Sequence, residues 1–202
     1  MKVKVIQATP EPLEVISRAA GTCYGKDNTS ENRVEHCFKA GHMSVFEHAS
    51  ITFKVEGISR ACSHQLVRHR VASFSQQSQR YCKIDVESVG WYVVPPAIDK
   101  LPLQDRVNYH LSMRSSGMEY LNLLKNGVKP EDARYLLPEA TKTEIVVTMN
   151  LREFYHFLDL RMDKAAQWEI RELAAKMLYA IEHYNSEWRK LMWLRGKDTD
   201  NA

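Results

Sequence analysis

The eight glycines of this 202-residue chain stand singly, at positions 21, 25, 41, 57, 90, 117, 127 and 196. A main chain that wraps closely around a phosphate needs clustered glycines, because only a residue without a Cβ lets the backbone approach. Neither a P-loop nor a dinucleotide-binding turn can be drawn from glycines this isolated. Any nucleotide bound here must therefore be held by side chains.

The order of elements is mixed. "KVKVIQA" alternates as a strand does, and the stripe Leu13, Ile16, Ala20 in "PLEVISRAA" predicts a helix stopped by Gly21. "TSENRVEHCFKAG" reads as a second helix, with Ser30 at its cap and Gly41 past its end. In "HASITFKVE", Ile51, Phe53 and Val55 face one way and polar residues the other, which predicts a half-buried strand. Residues 58 to about 70 are expected to be helical, followed after the Arg-rich stretch by the Pro-containing loop "VVPPAIDKLP". A long helix then runs from Gln104 to Asn126, ended by Gly127, with a short one held between Pro130 and Pro138. "TEIVVTM" is a strand by its β-branched content. Asn150 caps the next helix, with Glu153 in the capping-box position, and Asp163 opens a last long helix through "AAQWEIRELAAKMLYAIEHYNSEW". With no repeat and no linker, this mixed order predicts one α+β domain over residues 1–202.

Charge is the functional clue. The net value is only +3, too mild for a protein that lives on nucleic acid by charge alone, and no apolar run reaches membrane-spanning length. "MKVKVIQATP" lacks the apolar core of a signal peptide, so a cytoplasmic protein without a membrane is expected. Cys23, Cys37, Cys62 and Cys82 show no paired spacing and read as reduced packing residues. Yet from Gly57 to Ile84 there is no Asp or Glu, and the stretch contains "RHRVASFSQQSQRY", Arg68 to Tyr81. Arginines with no acid among them repel one another until an anion arrives, and the planar guanidinium fork suits phosphate and carboxylate. Anion binding is the expected role. An RNA-binding module using Phe74 and Tyr81 as stacking groups is the alternative, and it predicts affinity that falls steeply with salt. A metal-dependent phosphohydrolase would need carboxylates that are missing. His42, His48, His64 and His69 lack metal-ligand spacing, so no metal site is expected. Ser78 has no nucleophile elbow around it and reads as a hydroxyl donor to an anion. In "MNLREFYHFLDLR", Arg152 and His156 share a helix face, while Arg161 falls on the opposite side. One helix offering polar groups to two places is natural at a subunit interface.

Together these residues resemble the flavin-dependent thymidylate synthases. Their signature is Arg-His-Arg, seven residues, Ser and a further Arg; here it stands as Arg68-His69-Arg70, Val71 to Gln77, Ser78 and Arg80. "GHMSVFEH", "ARYLLP", "NLREFYHFLDLR" and "AQWEIRELA" are similar to further elements of the family, so the resemblance covers nearly the whole chain. It implies a mixed α/β subunit in a homotetramer whose active sites are shared between chains. It implies conversion of dUMP to dTMP, with 5,10-methylenetetrahydrofolate giving the carbon, reduced FAD the hydride, and NADPH re-reducing the flavin. By resemblance, Ser44, Arg68, His69, Arg70, Gln76, Asn150, Arg152 and His156 are FAD ligands. Gln65, Leu66, Val67, Arg68, Gln76, Gln77, Ser78, Gln79, Arg80, Arg134 and Arg161 form the dUMP site. Arg161 is the catalytic arginine that activates the uracil, and His42 lies near flavin and folate. Ser75, Gln76 and His156 depart from residues common in the family, which bears on the flavin contacts.

Overall fold

Ile51, Phe53 and Val55 are fully buried, while Thr52 and Lys54 between them keep part of their surface in solvent. This two-residue period builds the second strand of a four-stranded sheet in the computed structural model, which describes residues 1–199. The strands are β1 (Lys2–Ala8), β2 (Ser50–Ser59), β3 (Ala72–Gln76) and β4 (Lys142–Asn150), in the order β1-β2-β4-β3. Thr9 N donates to Ser50 O, joining the end of β1 to the start of β2. Leu151 N donates to Ala49 O, and Arg60 N to Thr141 O, so β2 and β4 also run antiparallel. On the polar face Thr52 and Thr148 hydroxyls meet at 3.0 Å.

The first helices are α1 (Pro12–Thr22), α2 (Glu31–Lys39), α3 (Arg60–Leu66), α4 (Pro96–Asp99) and α5 (Leu103–Lys125). After them come α6 (Pro130–Ala133), α7 (Leu151–Arg161), α8 (Trp168–Glu182) and α9 (Ser186–Thr199). Short 3-10 turns occupy Met43–His48 and Arg134–Leu136. Among the described residues no helix is long and apolar enough to cross a membrane.

The chain divides into two compact units, with three boundaries inside strands, at Val55–Glu56 in β2, Ser75–Gln76 in β3 and Ile145–Val146 in β4, and one inside α3, at His64–Gln65. The first unit takes Met1–Val55, Gln65–Ser75 and the chain from Val146 on. Its core joins Ile16, Phe46, Ile51, Phe53, Met149, Phe154, Phe157, Leu173 and Trp188, all with almost no exposed surface. The second takes Glu56–His64 and Gln76–Ile145, around Ile58, Cys62, Tyr120, Ala133 and Ile145.

Three local expectations change. Gly21 does not stop α1; it lies inside it. A Cβ there would sit 2.4 Å from Lys26 O, a backbone atom, and 2.7 Å from Arg33 Nη1, so the glycine serves the close return of the main chain at Lys26. The helical reading of residues 58 to about 70 is too long, since β2 runs to Ser59 and α3 ends at Leu66, with β3 following. β3 was hidden by its serines, yet Ala72, Phe74 and Gln76 alternate in burial with exposed Ser73 and Ser75. The last helix is two. Asp163 Oδ1 accepts from Ala165 N in a separate turn, and Gln167 caps α8 instead, accepting from Glu169 N and Ile170 N. Asn185 Oδ1 then accepts from Trp188 N and restarts the chain as α9, letting the Trp188 indole bury and donate to Thr9 O.

Candidate active site

The site begins with the cap of α7. Asn150 Oδ1 accepts from Glu153 N at 2.9 Å, as the capping motif predicts. The carboxylate of Glu153 does not return to the cap. It meets His69 Nδ1 at 3.0 Å, with the two side chains only 8% and 2% exposed. The other ring nitrogen, Nε2, accepts from Arg161 Nε at 3.0 Å, and Arg161 Nη2 donates to Gln65 O at 3.3 Å. A nitrogen that accepts from a guanidinium must present a lone pair, so His69 is neutral, with its proton on Nδ1 and donated to Glu153. Burial is the largest influence on this ring and lowers its pKa. Glu153 opposes the shift and Arg161 adds to it, and the net direction is down. His156 and Phe157 stand edge-on to the same ring, at 5.8 and 5.0 Å between centroids. Arg161 Nη1 keeps no partner among the described residues.

On the same unit, Arg152 Nη1 donates to Glu47 Oε1 at 2.6 Å in an exposed pair. Such a pair is worth about 1 kcal/mol at most. Ser44 lies exposed in the 3-10 turn that carries Glu47, and exposed His42 precedes it. Arg152 and Arg161 thus reach separate partners, as their spacing predicts. Arg152 and His156 are both exposed on α7, as their spacing predicts, and the His156 ring also stands edge-on to His69, which Arg161 holds. Arg68 and Arg70 are exposed and have no acid partner among the described residues, and Val67 beside them is open to solvent. Leu66 is fully buried, so only its backbone can meet a ligand.

The second unit holds the remaining candidates. Arg80 Nε donates to Glu131 Oε2, and Arg134 Nε to the Glu131 carbonyl, each at 3.1 Å. One residue far along the chain therefore ties these two arginines together. The acid-free window is not wholly without counter-charge: Arg80 obtains its acid from α6. Ser78 Oγ accepts from Arg80 N, with no base bonded to it among the described residues. Gln76 Nε2 donates to Ser63 Oγ and Thr143 Oγ1, which leaves its Oε1 for a ligand. Gln77 and Gln79 are partly buried. A cavity of about 420 Å³ is lined by Arg60, His64, Gln79, Arg134, Tyr135 and Glu139 among others. Burial of Arg60 disfavours its charge; Glu139 offsets this and Arg134 adds repulsion, so an anion in the cavity would be stabilised.

Sequence reasoning placed Glu153 only as a helix cap and passed over Glu131, Glu47 and Arg60. Nothing in their spacing marks them, because each meets its partner through the tertiary fold. The packing role of cysteines holds for buried Cys37 and Cys62 but not for Cys23 and Cys82, which are exposed.

A family model described as thymidylate synthase complementing protein matches residues 4–184. A flavin-dependent thymidylate synthase of Pyrococcus horikoshii is 45% identical over 208 residues, covering 95% of this chain and 85% of that protein. One from Geobacter sulfurreducens is 43% identical over 193 residues, covering 90% and 82%. The chain also superposes on the crystal structure of a flavin-dependent thymidylate synthase from Helicobacter pylori, solved with FAD and dUMP. The TM-score is 0.74 at 26% identity, covering 95% of this chain and 98% of that one.

Proposed function

The chain belongs to the flavin-dependent thymidylate synthases, and from that premise we propose that it methylates dUMP to dTMP. Carbon comes from 5,10-methylenetetrahydrofolate and the reducing equivalents from NADPH by way of FAD. The observation that carries this reading is the Arg161 guanidinium, held by His69 Nε2 and Gln65 O with Nη1 still free.

The residues fit FAD, whose diphosphate is an anion. Arg68 and Arg70 are exposed cations with no acid partner among the described residues, and Arg152 is engaged only by a surface pair. Ser44, Asn150, His156 and the free oxygen of Gln76 would add contacts, with His42 near flavin and folate. When bound, FAD supplies the hydride that completes the methyl group. The chain's own part is to bind and orient. Arg80 and Arg134 would take the phosphate of dUMP, and Gln65 to Arg68 with Gln76 to Gln79 the rest of the nucleotide. Ser78 has no base bonded to it among the described residues and the thiol of Cys62 is buried, so on this reading C5 of the uracil is activated without covalent attack from either. Arg161 would instead lie against N3 and its neighbouring carbonyl. An opposite charge there favours the N3-deprotonated ring, which is electron-rich at C5, and arginine cannot itself take the proton. Arg152 and Arg161, facing different ways from α7, support a homotetramer with sites shared between subunits.

Protein stripped of flavin should take up FAD stoichiometrically on titration and only then make dTMP from dUMP, methylenetetrahydrofolate and NADPH. Absence of FAD binding would end the reading. Ser78→Ala should keep measurable dTMP synthesis with weakened dUMP binding. A dead variant that binds both ligands normally, or a trapped Ser78–nucleotide adduct, would instead make Ser78 a nucleophile.

A further inference from the structure

A buried carboxylate one turn into α7 has no role in the reading above, yet it sits at the head of a chain of three side chains that ends on the guanidinium. We propose that Glu153 is a positioning residue for Arg161, acting through His69: it fixes the proton of His69 on Nδ1, so that Nε2 is left to accept from Arg161 Nε. This rests on the assignment of Arg161 as the group that activates the uracil.

The geometry leaves little choice. Glu153 Oε1 and His69 Nδ1 stand 3.0 Å apart, and Arg161 Nε and His69 Nε2 another 3.0 Å. The Arg161 Nε–H is always a donor, so the atom opposite it must be an acceptor. A neutral imidazole offers one acceptor only, and which nitrogen it is depends on what the other nitrogen meets. A carboxylate at Nδ1 can only accept, which sends the proton to Nδ1. Without Glu153 the ring is free to carry its proton on Nε2, pointing one donor at another. Arg161 would then keep Gln65 O as its one anchor and swing about it. The two bonds on Nε and Nη2 orient the planar fork so that Nη1 is presented in one direction, as a preorganised charge must be. Both nitrogens of His69 are consumed in this chain, so its ring works inside the protein and not as a polar flavin contact.

A structural role for Glu153 would cost stability; a positioning role costs turnover, and only while Arg161 is present. Glu153→Ala should retain FAD and a near-normal KM for dUMP and lose tenfold or more in kcat. Glu153→Gln, whose Oε1 also accepts from Nδ1–H, should recover most of that loss. In an Arg161→Ala background, Glu153→Ala should change kcat by less than twofold, since the cycle isolates the coupling. Independently of any variant or of activity, ¹⁵N NMR of the histidine rings in the wild-type protein should show His69 neutral and protonated at Nδ1. An Nε2–H tautomer or an imidazolium overturns the proposal. So does a folded Glu153→Ala enzyme at wild-type kcat, a Gln variant as poor as the Ala one, or an undiminished Glu153→Ala loss without Arg161. Wild-type protein that makes no dTMP would sink the role of Arg161, while the NMR result would still decide the tautomer.

Discussion

Arg161→Ala should lose about 10²–10³-fold in turnover while FAD stays bound and dUMP affinity falls far less, the size expected when one preorganised group facing developing charge is removed. The phosphate of dUMP is assigned to other arginines, so the nucleotide should still dock; what disappears is the cation that favours its N3 anion. The substitution also strips His69 Nε2 of its donor in a buried place, which costs stability on the order of 1–3 kcal/mol. Thermal melting must therefore accompany the kinetics. Arg161→Lys separates the two effects, because a lysine restores the charge but cannot span His69, Gln65 O and a ligand with one fixed fork. It should recover only part of the rate. Turnover by Arg161→Ala within a few-fold of wild type, measured with saturating dUMP and folate, would remove Arg161 from the chemistry.

Arg80→Ala and Arg134→Ala should each weaken dUMP by about 1.5–3 kcal/mol, roughly tenfold to a hundredfold in Kd, because each removes a charge-assisted hydrogen bond. FAD affinity should be unchanged in both. Calorimetric titration of each ligand against each variant separates the assignments, and equal loss of FAD and dUMP would show that the arginines serve the flavin. The two residues come from distant segments, yet both meet Glu131, so their effects should not add: the double variant should fall short of the sum.

The parts of the fold legible in the sequence are those whose signal is local. Ile51, Phe53 and Val55 alternate, Gly127 lies at φ +85° just past α5, and Asn150 caps α7 within three residues of its partner. Gly21 carried a stop signal, yet it is needed for the close return of the main chain at Lys26, and in "HYNSEW" Asn185 caps a new helix within a segment whose apolar pattern reads as continuous. The arginines of the site were visible as types and spacings. Their partners were not: Glu131 is 51 residues from Arg80 and Glu153 is 84 from His69. No periodicity reaches that far.

Glu131 also competes with any anion that would reach Arg80. Its carboxylate is tethered beside Arg80, so it competes at an effective concentration on the order of millimolar or above, however dilute the surrounding solution. A free chloride ion, offering one contact, must displace a rival that cannot diffuse away. On the proposed assignment a nucleotide would bring its base and sugar contacts to the exchange. If Arg80 receives the nucleotide phosphate as proposed, this carboxylate must first be displaced, and an exposed pair of this kind opposes the exchange by about 1 kcal/mol at most.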